Sequence, residues 1–202
     1  MSVAFACPPD CGHCCTHLER EHVPEDEDFR AMLREHGVYG CTDGLRLGLS
    51  LSNAEAAALQ AAASARRMKL DLHPRTWLLE TRRRAAVVLD WHMPDKVCPF
   101  YADFRCGVYD ARPLVCRAYP VLQIGKRGLA SECPKMPVPG TALRAERKVR
   151  RTIEEAHAKL DEIGWRLLDA PGARFAKGLT PREAEARLAR ARIVTPEAFS
   201  AP

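Results

Sequence analysis

The sequence predicts a small α+β fold: a loop-rich core with flanking helices, a β-hairpin and a C-terminal helical extension. Three observations lead there. Strand-like stretches near residues 45–51 and 85–91 sit between stretches with helical patterning and caps. Nine cysteines occur in 202 residues, and eight of them fall in two turn-rich, proline-rich blocks. Beyond Pro139 the composition shifts to charged amphipathic patterning without cysteine.

In chain order, the first 17 residues form the first cysteine block, whose prolines exclude helix before Cys14. The acidic run Glu25-Asp26-Glu27-Asp28 leads into Phe29–His36, a short amphipathic helix stopped by Gly37. Gly40 to Gly44 reads as a loop carrying Cys41. Leu45, Leu47, Leu49 and Leu51 alternate with Arg46, Gly48 and Ser50, the period of a half-buried strand. Ser52 with Glu55 three residues on is a capping box, opening an alanine-rich helix to about Leu70. Pro74 suits the first turn of a second helix reaching about Arg84, and the apolar run Ala85–Trp91 reads as a strand. Within the second cysteine block, Val121–Ile124 and Leu129–Ala130 flank Gly125-Lys126-Arg127-Gly128, a glycine-bracketed hairpin turn. Leu143–Leu168 is one long helix with an apolar stripe of Val149, Ile153, Ala156, Leu160, Ile163 and Leu167. Thr180-Pro181-Arg182-Glu183 combines an N-cap, a helix-opening proline and a capping glutamate, so a last helix starts there. The organisation expected is a cysteine-rich unit over residues 1–139 and a helical extension over 140–202 packed on it.

An apolar content of 47% is enough for a real core, and a net charge of +5 is mild. Arg66-Arg67 and Arg82-Arg83-Arg84 lack interleaved aromatics and read as solvated helix faces, so nucleic-acid binding is not expected. The N-terminus has no basic segment followed by an apolar run, and no stretch approaches the roughly 20 apolar residues of a membrane span. The expected location is the cytoplasm, where thiols stay reduced and metal ligation is the usual reason for clustered cysteines. No glycine-rich cofactor loop, Ser–His–Asp set or paired-carboxylate set emerges, so no catalytic residue is assigned. A protein partner is possible but unidentified.

The first block offers Cys7, Cys11, Cys14 and Cys15. Cys11-Gly12-His13-Cys14 has the two-residue spacing that turns both sulfurs toward one metal, with glycine easing the turn. Adjacent Cys14 and Cys15 are harder to seat on one ion, since neighbouring side chains in extended backbone point to opposite faces. They suit two sites, or two corners of a larger cluster. The second block offers Cys98, Cys106, Cys116 and Cys133. Eight thiols make two four-thiolate sites, or one site with thiols to spare, and the loop-rich core is therefore expected to be metal-centred. Cys41 stands outside both blocks and reads as an ordinary buried cysteine.

These blocks together resemble the YkgJ-like cysteine-cluster family, associated with zinc or iron chelation. Its first signature is matched by Cys7, Cys11, Cys14 and Cys15. Its second is matched by Cys98-Pro99-Phe100, Cys106, Tyr109, Arg112-Pro113, Cys116-Arg117 and Pro120. The resemblance spans roughly residues 5–135 and implies a ligand set of all eight block cysteines. Two departures stand out: three residues rather than two separate Cys7 from Cys11, and residues 18–44 look like an insertion. His13 and His17 are the alternative donors beside the first block.

Both metals have arguments. Cys-Gly-x-Cys is a zinc-knuckle pattern, and four-cysteine zinc sites stabilise small loop-rich folds and mediate protein interaction as structural modules. Cysteine followed by proline recurs three times, as in ferredoxin cluster motifs, and an adjacent cysteine pair suits a broad cluster. The similar cysteine cluster of flagellin lysine methylases, associated with a [4Fe–4S] centre, points the same way. The expectation is an iron–sulfur centre, with zinc as the alternative, and a role in redox chemistry or in support of a protein-modifying reaction. Arg105, Arg112 and Arg117 stand beside the ligands, either offsetting thiolate charge or packing at the surface. Tyr101, Tyr109 and Tyr119 are expected to shield the site, while His73 and His92 are expected to be structural. Replacing Cys14 or Cys116 with serine is expected to remove metal and destabilise the protein. Metal analysis and melting curves of both variants check this.

Overall fold

The computed structural model describes residues 12–16, 27–40, 49–95, 97–119, 121–123, 128–129 and 140–200. Its elements in chain order are α1 (His13–Thr16), α2 (Glu27–His36), β1 (Val38–Gly40), β2 (Leu49–Ser52) and α3 (Asn53–Ala65). Then come β3 (His73–Glu80), β4 (Ala85–Met93), β5 (Tyr101–Ala102), β6 (Arg105–Cys106), α4 (Leu114–Ala118), β7 (Val121–Gln123) and β8 (Gly128–Leu129). The chain closes with α5 (Gly140–Leu168), α6 (Pro181–Leu188), β9 (Arg192–Val194) and α7 (Pro196–Ser200). The α+β class expected from the sequence is the class observed.

At the centre, β3 and β4 form an antiparallel hairpin, with β1 antiparallel on the free edge of β3. Two strands share the other edge of β4 end to end. Strand β2 pairs antiparallel with Asp90–Met93, and β9 pairs parallel with Ala85–Val87. Alternate side chains of the hairpin go to opposite faces. Trp77, Leu79, Ala86 and Val88 pack with Tyr39, Ala176 and Ala184, while Leu78 and Val87 pack with Leu167 and Phe199. Both faces are thus covered, the second by α5 and α7, and β4 is buried along most of its length.

The segment Pro74–Arg84, expected as a helix, is instead β3 and the turn Thr81–Arg84. Trp77, Leu78 and Leu79 are consecutive apolar residues, and each is buried because the sheet has apolar cover on both sides. A helix would have placed one of them in water. The missing N–H of Pro74 falls beside a register shift in the β3–β4 ladder, where its loss is tolerated. Arg82–Arg84 are accordingly turn residues rather than a helix face. Arg82 donates to the Gly172 carbonyl, and Arg83 donates to the Phe199 carbonyl while lying over its ring. The Glu80 carboxylate, buried at the turn, accepts the Arg83 and Arg174 amides.

Helix α2 ends at Gly37, whose φ of +91° continues the chain into β1. Helix α3 carries the expected capping box but stops at Ala65, short of Leu70. Arg67 takes the left-handed conformation (φ 56°), and the Arg67 and Met68 amides bond back to Ser64 and Ala63, a Schellman stop made without glycine. At its start Asn53 accepts from the Trp91 indole at 2.7 Å and donates to the Val88 carbonyl at 3.1 Å, fixing α3 on β4. Strand β2 begins at Leu49; residues 45–48, Cys41 and the hairpin turn 124–127 lie outside the described residues. Strands β7 and β8 pair as the expected hairpin.

Helix α5 matches the predicted helix, with Ile153 and Leu167 buried from its stripe. It packs along α4 and β7 and then onto β4. Helix α6 opens with the expected capping box, and the Thr180 hydroxyl and amide hold the Glu183 carboxyl below the usual range. Strand β9 and α7, unforeseen in the sequence, follow it. Among the described residues no helix is long and apolar enough to cross a membrane.

Tyr39 joins this last part of the chain to the sheet. Its hydroxyl donates to the Ala176 carbonyl at 3.1 Å and accepts from the Leu179 amide at 3.4 Å. Burial pushes the phenol above its ordinary value of 10.0, against the lowering effect of the Leu179 amide. The folded state therefore favours the protonated phenol. This contribution is complete below pH 10.0 and is lost as the pH rises through the raised value. Tyr39→Phe is expected to cost about 1 kcal/mol at neutral pH, and to remove that alkaline component of the stability loss. Urea unfolding of both proteins across pH 8 to roughly 11 reads both effects.

Candidate metal centre

The second cysteine block begins as a small loop closed by its own backbone. The Cys98 carbonyl accepts from the Tyr101 amide at 2.9 Å, and the Phe100 carbonyl accepts from the Gly107 amide at 2.8 Å. Between them β5 and β6 form a hairpin in which Tyr101 faces Cys106. Its two turn residues, Asp103 and Phe104, both have positive φ (49° and 58°), as a two-residue type I′ turn requires. A turn of 3₁₀-helix (Tyr109–Ala111) and the buried Pro113 then lead into α4, which carries Cys116. Phe100 and Val108 anchor the loop in an apolar cluster with Leu51, Leu59, Leu70 and Met93. Cys98, Cys106 and Cys116 all pack at the edge of that cluster, each partly buried.

Two side chains from α3 hold this loop in place. The Arg66 guanidinium donates to the Gly107 carbonyl at 2.6 Å. Glu55 acts at two helices at once. One carboxylate oxygen accepts from the Ser52 amide (2.9 Å) and hydroxyl (2.8 Å), while the other accepts from the Leu114 amide at 2.7 Å. That amide is one of the unsatisfied donors at the start of α4. Glu55 was legible as a cap for α3; its bond to α4, 59 residues away, has no local signal.

The first block meets the second through the main chain. The Cys15 carbonyl accepts from the Cys98 amide at 2.7 Å. The Gly12 carbonyl in turn accepts the Cys15 and Thr16 amides, closing the single turn of α1. Gly12 has φ +51° and lies against Tyr101 so closely that an added Cβ would come 1.7 Å from the phenol oxygen. Only glycine fits between the flanking cysteines there. Tyr101 packs against Gly12 of the first block, whereas Tyr109 is exposed.

The structure brings Cys15 beside Cys98 by this backbone bond, and groups Cys98, Cys106 and Cys116 on one apolar cluster. Cys14 lies on α1; its side chain and that of His13, together with Cys7, Cys11, His17 and Cys133, are outside the described residues. Among the described residues no three His, Cys, Asp or Glu side chains converge as a metal site. What is described still fits a thiolate-held centre in chemistry and setting: soft sulfur donors, partly buried, on backbone-closed turns over an apolar floor. Arg112 donates to the Tyr109 carbonyl at 3.1 Å and stacks 3.7 Å from its ring centroid, anchoring the turn before Pro113. Arg105 and Arg117 are exposed. His73 and His92 face each other across β3 and β4, and His73 contacts Asp71 at 3.2 Å.

Cysteine-bearing loops docked on a helix-flanked, mainly antiparallel sheet make this a cysteine-cluster protein. The chain belongs to the CxxCxxCC family, described as "Putative zinc- or iron-chelating domain", whose model matches residues 6–134 and so takes in both blocks. Searches of curated proteins and of solved structures gave no match. Glu55→Ala is expected to cost about 2 kcal/mol, because it uncaps α3 and leaves the first amide of α4 unpaired. Chemical denaturation measures the cost, and an unchanged midpoint would show that neither bond matters.

Proposed function

We propose that the protein holds an iron–sulfur centre on its two cysteine blocks. Its ligands are drawn from Cys7, Cys11, Cys14, Cys15, Cys98, Cys106, Cys116 and Cys133. The observation that carries this reading is the Cys15–Cys98 main-chain hydrogen bond, which makes the two blocks one unit. The adjacent cysteine pair and the three Cys-Pro steps favour a cluster over a single ion. When bound, such a centre supplies one-electron transfer or a fixed electrostatic and structural anchor. Glu55 and Arg66 fix the loop of the second block, and Tyr101 packs on Gly12 of the first, so these residues would position the sulfurs.

A redox role, or support of a protein-modifying reaction, is consistent with thiols at the rim of the fold rather than at its centre. The reading requires a reducing compartment, and the cytoplasm is the one we propose. Anaerobic purification followed by visible absorption and iron, zinc and sulfide analysis tests it. A brown protein with matched iron and sulfide is expected. A colourless protein with stoichiometric zinc and no sulfide would replace it with a structural zinc module that mediates protein interaction.

A further inference from the structure

The tip of the β5–β6 hairpin combines strain with exposure. A two-residue type I′ turn favours Asn-Gly or Asp-Gly, because both central residues need positive φ. Here the second is Phe104, a bulky side chain at φ 58°, where such residues are rare and strained. Phe104 is 64% exposed, so burial does little to offset this strain. Tyr109 and Val97, on the same cysteine loop, are 45% and 50% exposed. Local stability alone would select glycine at the turn and polar residues at the other two positions.

Arg105 and Arg112 lie on the same loop, with Arg66 at the end of α3 and Arg117 on α4; Arg66 and Arg112 also donate to the Gly107 and Tyr109 carbonyls. Among the described residues no carboxylate lies within ion-pair distance of any of the four. Exposed aromatics among arginines are the composition of interaction hot spots. Two carboxylates stand among these arginines in sequence, Asp103 beside Phe104 and Asp110 beside Tyr109. They would repel the evenly spaced phosphates of a nucleic acid. A protein surface has acidic groups at discrete places and apolar ground between them, and it can meet both.

We propose that the Phe104 hairpin is the docking surface for an acidic protein partner, with Phe104 as its apolar anchor and the arginines as its charge complement. Cys106 lies two residues from the anchor, so the partner is held beside the cysteine blocks. The proposal borrows the metal-centre reading only to explain why a partner docks there; the docking itself rests on the hairpin and its charges.

The test uses the metal-loaded full chain and three fluorescent probes: a twelve-residue peptide alternating glutamate and leucine, the same peptide with lysine for glutamate, and a twelve-nucleotide oligothymidylate. Only the acidic peptide is expected to bind, with Kd on the order of tens of micromolar, as for transient encounters, weakening about tenfold between 50 and 300 mM salt. Phe104→Gly is expected to weaken it another five- to tenfold, with metal content unchanged and a Tm equal to or up to about 3 °C above the parent. That combination separates an anchor from a structural residue, and the metal assay reports separately on the centre. Equal peptide affinity in the variant, a lowered Tm, no binding of the acidic peptide, or tighter binding of the oligothymidylate would each overturn the proposal.

Discussion

Both oxygens of the Glu55 carboxylate are engaged at helix starts, one at α3 and the other at α4. The cysteine loop depends on this geometry. Helix α3 is fixed to β4 through Asn53, so the position of Cys116 on α4 is tied by three short links to the central strand. An ion pair would leave orientation loose. A carboxylate accepting main-chain amides fixes direction as well as distance. Tethering of this kind matters where cysteines some eighty residues apart in sequence are brought side by side. The loop is too short to make a core of its own and borrows one from α3, Leu51 and Met93.

The docked blocks also show how a thiol-rich surface is kept in register. Gly12 and Tyr101 fit together with no room for a side chain, and the Cys15–Cys98 hydrogen bond lies beside them. Neither contact involves a sulfur. The relative position of Cys15 and Cys98 is therefore set by backbone geometry.

Much of this was legible in the sequence where the signal is local. The Ser52–Glu55 and Thr180–Glu183 boxes, the stripe of α5 and the strand Ala85–Met93 need only near neighbours to declare themselves. Errors arose where distant partners decide. Pro74 is a fair helix opener in isolation, but Trp77, Leu78 and Leu79 are each buried by a different layer, so the run is a strand. Arg67 ends α3 in a conformation usually left to glycine, hence the overlong helix expected there. Strand β9 is three residues long with two exposed, too short for any periodicity to appear. Clustering and family likeness pointed to the eight block cysteines, but the closeness of Cys15 and Cys98 is visible only in the fold.

The shared edge of β4 sets an order of events during synthesis. Strand β2 is available early and covers Asp90–Met93, but Ala85–Val87 wait for a strand more than one hundred residues further along the chain. Contacts of such separation form slowly. Until they form, a stretch that is buried in the finished fold presents an open sheet edge, the kind that recruits foreign strands. The cysteine loops are already translated by then, while the sheet beneath α5 is unfinished. Crowding, temperature and chaperone supply should therefore weigh more heavily on the yield of this protein than its modest size suggests.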